Sequence, residues 1–296
     1  MNSLLNHIWR FYADSPLLCM RMTFLSIILL FTLFQTNSSH SQEFEVVSFN
    51  IRYGTPGDGE NKWKSRRSRV MTIFNKYKDG IIATQEALPL QIDEVLDEVS
   101  QFEVVFRSRT VEEKKGESNA IFYNKKVWKL VENETFWFSD TPSEPATRSW
   151  GNTLPRIATI AILEHKSSGK KIRLLNAHLD HRSDYSRQRS VELLLRKLMT
   201  EVEPMPTILL GDFNETPDGE NIQRIKEYFE DTYSGDELEG CTYHNWNGGS
   251  HCDRIDYIFY LKGDGLKLQK FTIDRWKNKY FYPSDHYPIV AKFSLN

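Results

Sequence analysis

The chain has 296 residues, 40% of them hydrophobic and 26% charged, with a net charge of −2. The near-neutral balance excludes a protein that draws nucleic acid by net charge alone. Neither repeats nor long Pro/Gly/Ser linkers mark an internal boundary, so one compact domain is the simpler reading of this length.

The N-terminus stands apart. Arg21 precedes an apolar run, Phe24 to Phe34, and polar and small residues follow from Gln35 to Ser41. That order is the pattern of a secretory signal peptide. The run is shorter than the roughly 20 apolar residues of a membrane-spanning helix. Residues 1–21 have no role in the pattern, so Met20 or Met22 is a candidate start. The expectation is a leader over 1–41 and a catalytic domain over 42–296, secreted or periplasmic, without a membrane span once cleaved. A retained anchor is the alternative. Losing Arg10, Arg21 and Asp14 with the leader leaves a net charge of −3. Basic clusters such as Lys64 to Arg69 and Arg182 to Arg189 read as solvated helix faces or local phosphate contacts. Outside the leader the cysteines are Cys241 and Cys252. A disulfide, free thiols and a zinc site with His244 and His251 are all open, the zinc spacing matching no standard finger.

Next comes Phe44 to Asn50, alternating as a strand does. A Gly-rich loop to Asn61 and a helical pattern from Trp63 to Tyr77 follow. Ile81 to Glu86 reads as a buried strand and Leu88 to Val99 as a helix. Phe102–Arg107, Ala120–Tyr123 and Val127–Phe138 read as strands, the last two joined by a tight turn at Asn124–Lys126. Ile157–Leu163 and Lys171–Asn176 continue the series. Ser186 to Thr200 carries Val191, Leu194, Leu195, Leu198 and Met199 on one face, an amphipathic helix. The apolar run Pro206–Leu210 ends in Gly211-Asp212-Phe213-Asn214. On a continuing strand, Asp212 and Asn214 share a face. A helix from Gly219 to Phe229, a strand over Arg254–Tyr260 and a closing strand over Ile289–Phe293 complete the chain. The result is an α/β sandwich with polar residues stationed at strand ends along one rim.

Those polar residues carry chemistry. A carboxylate that orients a nucleophile, beside an amide that donates to an oxyanion, suits a phosphate ester. Glu86, at the end of an apolar strand, is a charge that a hard divalent cation offsets. A cap for the helix after it is the competing reading.

Ser48-Phe49-Asn50, Gln85-Glu86, Asn176-Ala177-His178-Leu179-Asp180, Gly211-Asp212-Phe213-Asn214, Arg254-Ile255-Asp256-Tyr257-Ile258 and Ser284-Asp285-His286 resemble, in order, the motifs of the endonuclease/exonuclease/phosphatase superfamily. The loop Gly57–Trp63 and Thr147–Trp150 further resemble a bacterial branch near the deadenylase/nocturnin-like proteins. The resemblance implies a four-layer α/β/β/α sandwich of two packed mixed sheets and a hydrolase dependent on Mg²⁺ or Mn²⁺. It implies Glu86, Asn50 and Asp285 at the metal, Asp212 orienting or deprotonating water, and His286 on the scissile phosphate, held in one tautomer by Asp256. It implies Asn214, His178 and Arg156 on the phosphate, and Arg148 as a weaker, branch-level candidate. Trp63, Trp150, His244 and Trp246 are aromatic candidates for a pocket wall, or anchors of loops. The expected substrate is a phosphate ester, first nucleic acid, cleaved as by a deadenylase-like 3'-5' exoribonuclease or an endonuclease. A sphingomyelinase-like or sugar- or inositol-phosphate activity is the alternative. A secreted binding module without turnover is the reading of another class.

Overall fold

The computed structural model of the protein describes residues 42–200, 203–235 and 239–295. The leader reading, with Phe24–Phe34 and Cys19, lies outside them. The strands are β1 (Gln42–Asn50), β2 (Ile81–Ala87), β3 (Phe102–Val105), β4 (Ser118–Asn124), β5 (Trp128–Trp137), β6 (Ile157–His165), β7 (Lys171–His178), β8 (Thr207–Asp212), β9 (Phe229–Asp231), β10 (Asp256–Leu261), β11 (Leu266–Ile273) and β12 (Ile289–Leu295). The helices are α1 (Trp63–Lys76), α2 (Pro89–Glu98), α3 (Asp184–Thr200) and α4 (Glu220–Lys226). One six-stranded sheet has the order β11-β12-β1-β2-β4-β3, the other β5-β6-β7-β8-β10-β9.

The alternation of each central strand makes the layers. Phe44 and Val46 of β1 point into the core between the sheets, where they meet Leu174 of β7 and Ile208 and Leu210 of β8. Val47 and Phe49 point the other way, onto Val70, Ile73 and Phe74 of α1 and Ile92 and Val95 of α2. On the far side Leu209 and Phe213 pack with Val191, Leu194 and Leu198 of α3 and Ile222 and Ile225 of α4. Helices therefore cover both outer faces, the expected α/β/β/α order. Each such aliphatic side chain, fully buried, contributes about 1.5–3 kcal/mol.

The directions of the strands gather the site. β1 and β2 are parallel, as are β7 and β8, whereas β12, β6 and β10 run antiparallel to β1, β7 and β8. The C-terminal ends of the parallel strands and the N-terminal ends of their antiparallel neighbours thus share one rim. Asn50 of the first sheet reaches Asp212 of the second there, Nδ2 to Oδ2, at 3.0 Å. Gly211 is needed in this turn. Its φ is +138°, and a Cβ would lie 1.9 Å from the Ala177 carbonyl oxygen of β7.

Several expected elements differ. The turn at Asn124–Lys126 does join β4 to β5, but it carries the chain from one sheet to the other. Beyond the expected strands there are β9, which is short, and β11, an edge strand whose alternation of Leu266 and Leu268 with Phe271 and Ile273 is interrupted by a register shift between Leu268 and Lys270. Met199 is 42% exposed and leaves the apolar face of α3. β8 stops at Asp212, because Asn214 turns to φ +50°.

Candidate active site

Asp212 is the centre of the rim. Its Oδ1 accepts from the backbone N–H of Asn214 at 3.0 Å, and its Oδ2 from the Asn50 amide. The Nε2 atoms of His178 and His286 stand 3.6 and 3.8 Å from Oδ2. Burial, with nearby Asp256 adding to it, raises the Asp212 carboxyl to about 7. Asn214 leaves the strand in a left-handed conformation, so the same-face argument from strand periodicity does not apply. It lines the same cavity by another route, its amide donating to the Leu179 carbonyl at 3.1 Å.

The two imidazoles have opposite environments. His286 Nδ1 meets Asp256 Oδ2 at 2.8 Å. Burial alone lowers a histidine, but Asp256, then Asp212 and Asp285, reverse this and push His286 up to about 10. It is therefore an imidazolium whose Nε2–H faces Asp212. His178 is held well below the ordinary histidine value by burial and by the Arg156 and Arg109 guanidinium groups. Arg156 Nη1 lies 3.1 Å from His178 Nε2. A guanidinium only donates, so His178 is neutral with Nε2 as acceptor. Its 3.6 Å approach to Asp212 is therefore no ion pair. The Arg156 donors are engaged by Asp180 Oδ2, His178 and His181 Nδ1 at 3.4, 3.1 and 2.8 Å.

Glu86 faces this group from β2. The β2–β4 register shifts between Thr84 and Ala87, and Glu86 takes φ +62°. Such a bulge re-aims one side chain at a cost of about 1–3 kcal/mol. Helix α2 is capped at Leu88, so Glu86 does not serve as its cap. Glu86 accepts from Asn50 Nδ2 at 3.2 Å and from the Tyr53 N–H at 3.1 Å. Arg52 lies 3.9 Å from both Glu86 Oε2 and Asp285 Oδ2, its guanidinium held by Asp58 at 3.2 and 2.9 Å. Two carboxylates converging on one cationic neighbour are the oxygen donors a hard divalent ion takes. Asn50 presents its Nδ2, a donor, to the carboxylates, while its Oδ1 accepts from the Arg52 N–H. In this arrangement it orients them and offers them no ligand oxygen. Asp212, Asp256 and His286 also bring ligand atoms within 4.8 Å of one another. In that trio His286 Nδ1 is engaged by Asp256, so Nε2 is the imidazole atom left to face an ion.

The residues lining the cavity, of about 610 Å³, include Glu86, Arg156, His178, Asp212, Asn214, Asp285 and His286. Arg148, Trp150 and His244 are not among them, nor are Trp63 and Trp246. Arg148 is exposed and donates to the Thr153 carbonyl at 2.9 Å. Trp150 donates to Asp140 at 2.9 Å and lies under Arg189. His244 is buried against the rings of Tyr282 and Tyr287, 4.5 and 4.1 Å away. Burial lowers it to about 4. These side chains anchor loops, the alternative given for the aromatics. The cavity also has Arg182, from the basic cluster read as solvated or phosphate-binding, and Arg52, Tyr53, Arg109, Glu117, His181 and Tyr243, which no sequence signal pointed to.

Two supports lie behind the site. Cys241 and Cys252 form a disulfide, which removes the zinc reading. Their loop meets the site through Tyr243, whose ring is 4.8 Å from that of His286, and through the N–H groups of His244 and Asn245, which donate to the Asp285 carbonyl at 3.0 and 3.1 Å. Arg66 is fully buried, not on a solvated face as its cluster suggested. It donates to the carbonyls of Ile51 (2.5 Å), Arg52 and Pro283 (3.2 Å), joining the exit of β1 to the segment that carries Asp285 and His286.

An aspartate between a charged and a neutral imidazole, with acidic oxygen donors alongside, at the rim of an α/β/β/α sandwich, defines a phosphoesterase class of site. The profile of the Endonuclease/Exonuclease/phosphatase family matches residues 47–286, and the chain belongs to that family of hydrolases acting on phosphate esters. It is 26% identical to an endonuclease/exonuclease/phosphatase protein from Bacteroides vulgatus, with 86% of this chain and all of that one covered at a TM-score of 0.79. It is 25% identical to a mannosyl-6-phosphatase from Bacteroides thetaiotaomicron, over 84% and 99% of the two chains at 0.75. It is 24% identical to the CCR4-Not complex 3'-5'-exoribonuclease subunit Ccr4 of Mycosarcoma maydis, over 88% of this chain. The chain spans about half the length of that relative, 51%.

Proposed function

We propose that the protein hydrolyses a phosphate ester by in-line attack of water, with Asp212 taking the water proton and His286 donating to the phosphoryl oxygens. The observation that carries this is the placing of the two groups, His286 Nε2 standing 3.8 Å from Asp212 Oδ2. Burial raises a carboxyl into the range of a general base at neutral pH, and Asp256 keeps the adjacent imidazole charged. A carboxyl tuned to accept a proton beside an imidazole held in its donor form suits base and acid roles. Asp256 orients His286 and does not itself transfer a proton. Asn214 and Arg156, both lining the cavity, are taken as the phosphate ligands, and His178 accepts from Arg156 and holds it in place. Glu86 and Asp285 would hold Mg²⁺ or Mn²⁺, which would supply positive charge to offset charge developing on the phosphoryl group.

The alcohol side of the substrate reads as a sugar or another polyol. The aromatic side chains of the cavity are Tyr53 and Tyr243. Arg52 covers one face of Tyr53 and His286 packs against Tyr243, which reduces the ring surface open to a nucleobase. The end-to-end likeness to a mannosyl-6-phosphatase supports the same reading. A deadenylase-like exoribonuclease is the second reading, favoured by the relative named as one. Hydrolysis of hexose 6-phosphates, inositol phosphates, RNA, DNA and sphingomyelin with Mg²⁺ or Mn²⁺ separates them. The expected result is release of phosphate from the hexose phosphates, abolished by EDTA. Cleavage of RNA alone selects the second reading, and absence of turnover on every ester leaves a binding module. Export completes the reading, with a mature start near Gln42. N-terminal sequencing of the protein from its native host tests this, and recovery of Phe24–Phe34 refutes it.

A further inference from the structure

Arg109 and Glu117 form an ion pair on the wall of the cavity, Nη2 to Oε1 at 2.5 Å, with side chains only 13% and 16% exposed. They lie in the irregular segment between β3 and β4, and the backbone there is firmly held. The Arg109 N–H donates to the Glu117 carbonyl at 2.8 Å, and the Trp137 indole donates to the Arg109 carbonyl at 2.8 Å. Among the described residues the two side chains make no other hydrogen bond. Arg109 Nε and Nη1 and Glu117 Oε2 are thus left for a ligand.

Stability does not account for such a pair. Desolvating two charges costs about as much as their attraction returns, and apolar replacements are often as stable or more so. Nor does the pair suit a second phosphate, because Glu117 repels an anion that Arg109 attracts. Burial raises the Glu117 carboxyl, and Arg109 opposes that rise. The two side chains offer fixed donors beside a fixed acceptor, with no net charge, in a cavity that also holds Arg156 and His178. That is the complement of a hydroxyl pair, which donates and accepts at once.

Resting on the polyol-phosphate reading above, we infer that Arg109 and Glu117 form a subsite that reads hydroxyl groups on the alcohol half of the substrate and sets specificity for sugar phosphates. The phosphate lies at Asp212, Asn214 and His286, and the sugar extends toward β4. A charged side chain left facing a substrate that lacks its partner hydroxyl loses the hydrogen bond and stays desolvated, which rejects that substrate.

The test compares kcat/KM for glucose 6-phosphate and mannose 6-phosphate with kcat/KM for p-nitrophenyl phosphate, which has no hydroxyls to read. Glu117→Gln and Arg109→Gln are each expected to lower the better of the two sugar-to-aryl ratios by about 10- to 100-fold, chiefly through KM. A structural role lowers both substrates in proportion, and an unchanged ratio overturns the subsite. Glu117→Asp, which keeps the charge but withdraws the carboxylate, gives a second reading of the ratio if a glutamine variant melts early. Wild-type protein that hydrolyses p-nitrophenyl phosphate but neither hexose phosphate overturns the subsite and leaves the phosphoesterase reading intact. Hydrolysis of none of the three overturns the subsite and the polyol-phosphate reading together, and the phosphoesterase reading falls with them only if RNA, DNA and sphingomyelin are also left intact.

Discussion

Replacing Asp256 by Asn tests the reasoning about the site most directly. The side chain keeps its size, but its charge beside His286 Nδ1, at 2.8 Å, is lost. Raising the imidazole from 6.5 to about 10 corresponds to about 5 kcal/mol in favour of the charged form. Burial opposes this rise, and Asp256 is the largest of the groups that produce it, ahead of Asp212 and Asp285. If Asp256 supplies half of it, the variant loses about 2–3 kcal/mol and the imidazole falls by about two pH units. The sign follows. A raised histidine is charged below its folded value and loses its proton as pH rises through it. Activity that needs charged His286 therefore persists to about pH 10 in the wild type and ends lower in the variant. The acid limb, about pH 7 in the wild type where Asp212 gains its proton, also moves down in the variant, because the Asp256 charge that helps raise that carboxyl is gone. The assay is the pH profile of kcat/KM on an activated phosphate ester, with little loss from this cause at about pH 7 and an expected loss of about tenfold at about pH 9. An alkaline limb in the same position in both proteins refutes the assignment of the charge to Asp256.

Other outcomes follow from the same structure. The disulfide closes a short loop, of sequence separation 11, so replacing both Cys241 and Cys252 by Ser should cost about 3 kcal/mol. For a domain of this size that lowers Tm by about 6–12 °C in a calorimetric melt, and an unchanged Tm rejects the loop as a brace. His244 is buried neutral, lowered to about 4. Stability from its neutral form is complete above about pH 6.5 and is lost as pH falls toward 4, because the unfolded chain takes the proton first. His244→Asn should therefore lessen the loss of stability between pH 7 and 4.5 by about 2 kcal/mol in urea titrations. Identical losses in the two proteins count against its burial as a neutral group.

What local pattern encodes was legible from the residues alone. An apolar run that ends in polar groups, as at Leu210–Asp212 or Ile81–Glu86, states both that a strand is buried and that its end faces solvent or a site. Repeated along the chain, with helical periods between, it yields the layers and the list of rim residues, since burial pattern and strand end are properties of neighbouring positions. The structure brought Glu86, His178, Asp212, Asn214, Asp285 and His286 to one cavity, with Asp256 and Asn50 against them.

Only the tertiary structure decided what each of these groups meets. Arg66 and Arg69 look alike in a basic run, yet one is buried against the carbonyls of Ile51 and Pro283, more than two hundred positions distant in the second case. Nothing near His178 in sequence says that Arg156 makes its Nε2 an acceptor, and nothing near His244 says that two tyrosines enclose it. Arg109 and Glu117 sit in a segment without period, so their meeting depends on the turn between them and on Trp137. Which atom a side chain turns to its neighbour, and what charge it carries there, depends on contacts between distant parts of the chain. Folding creates those contacts, and one stretch of residues read in isolation does not contain them.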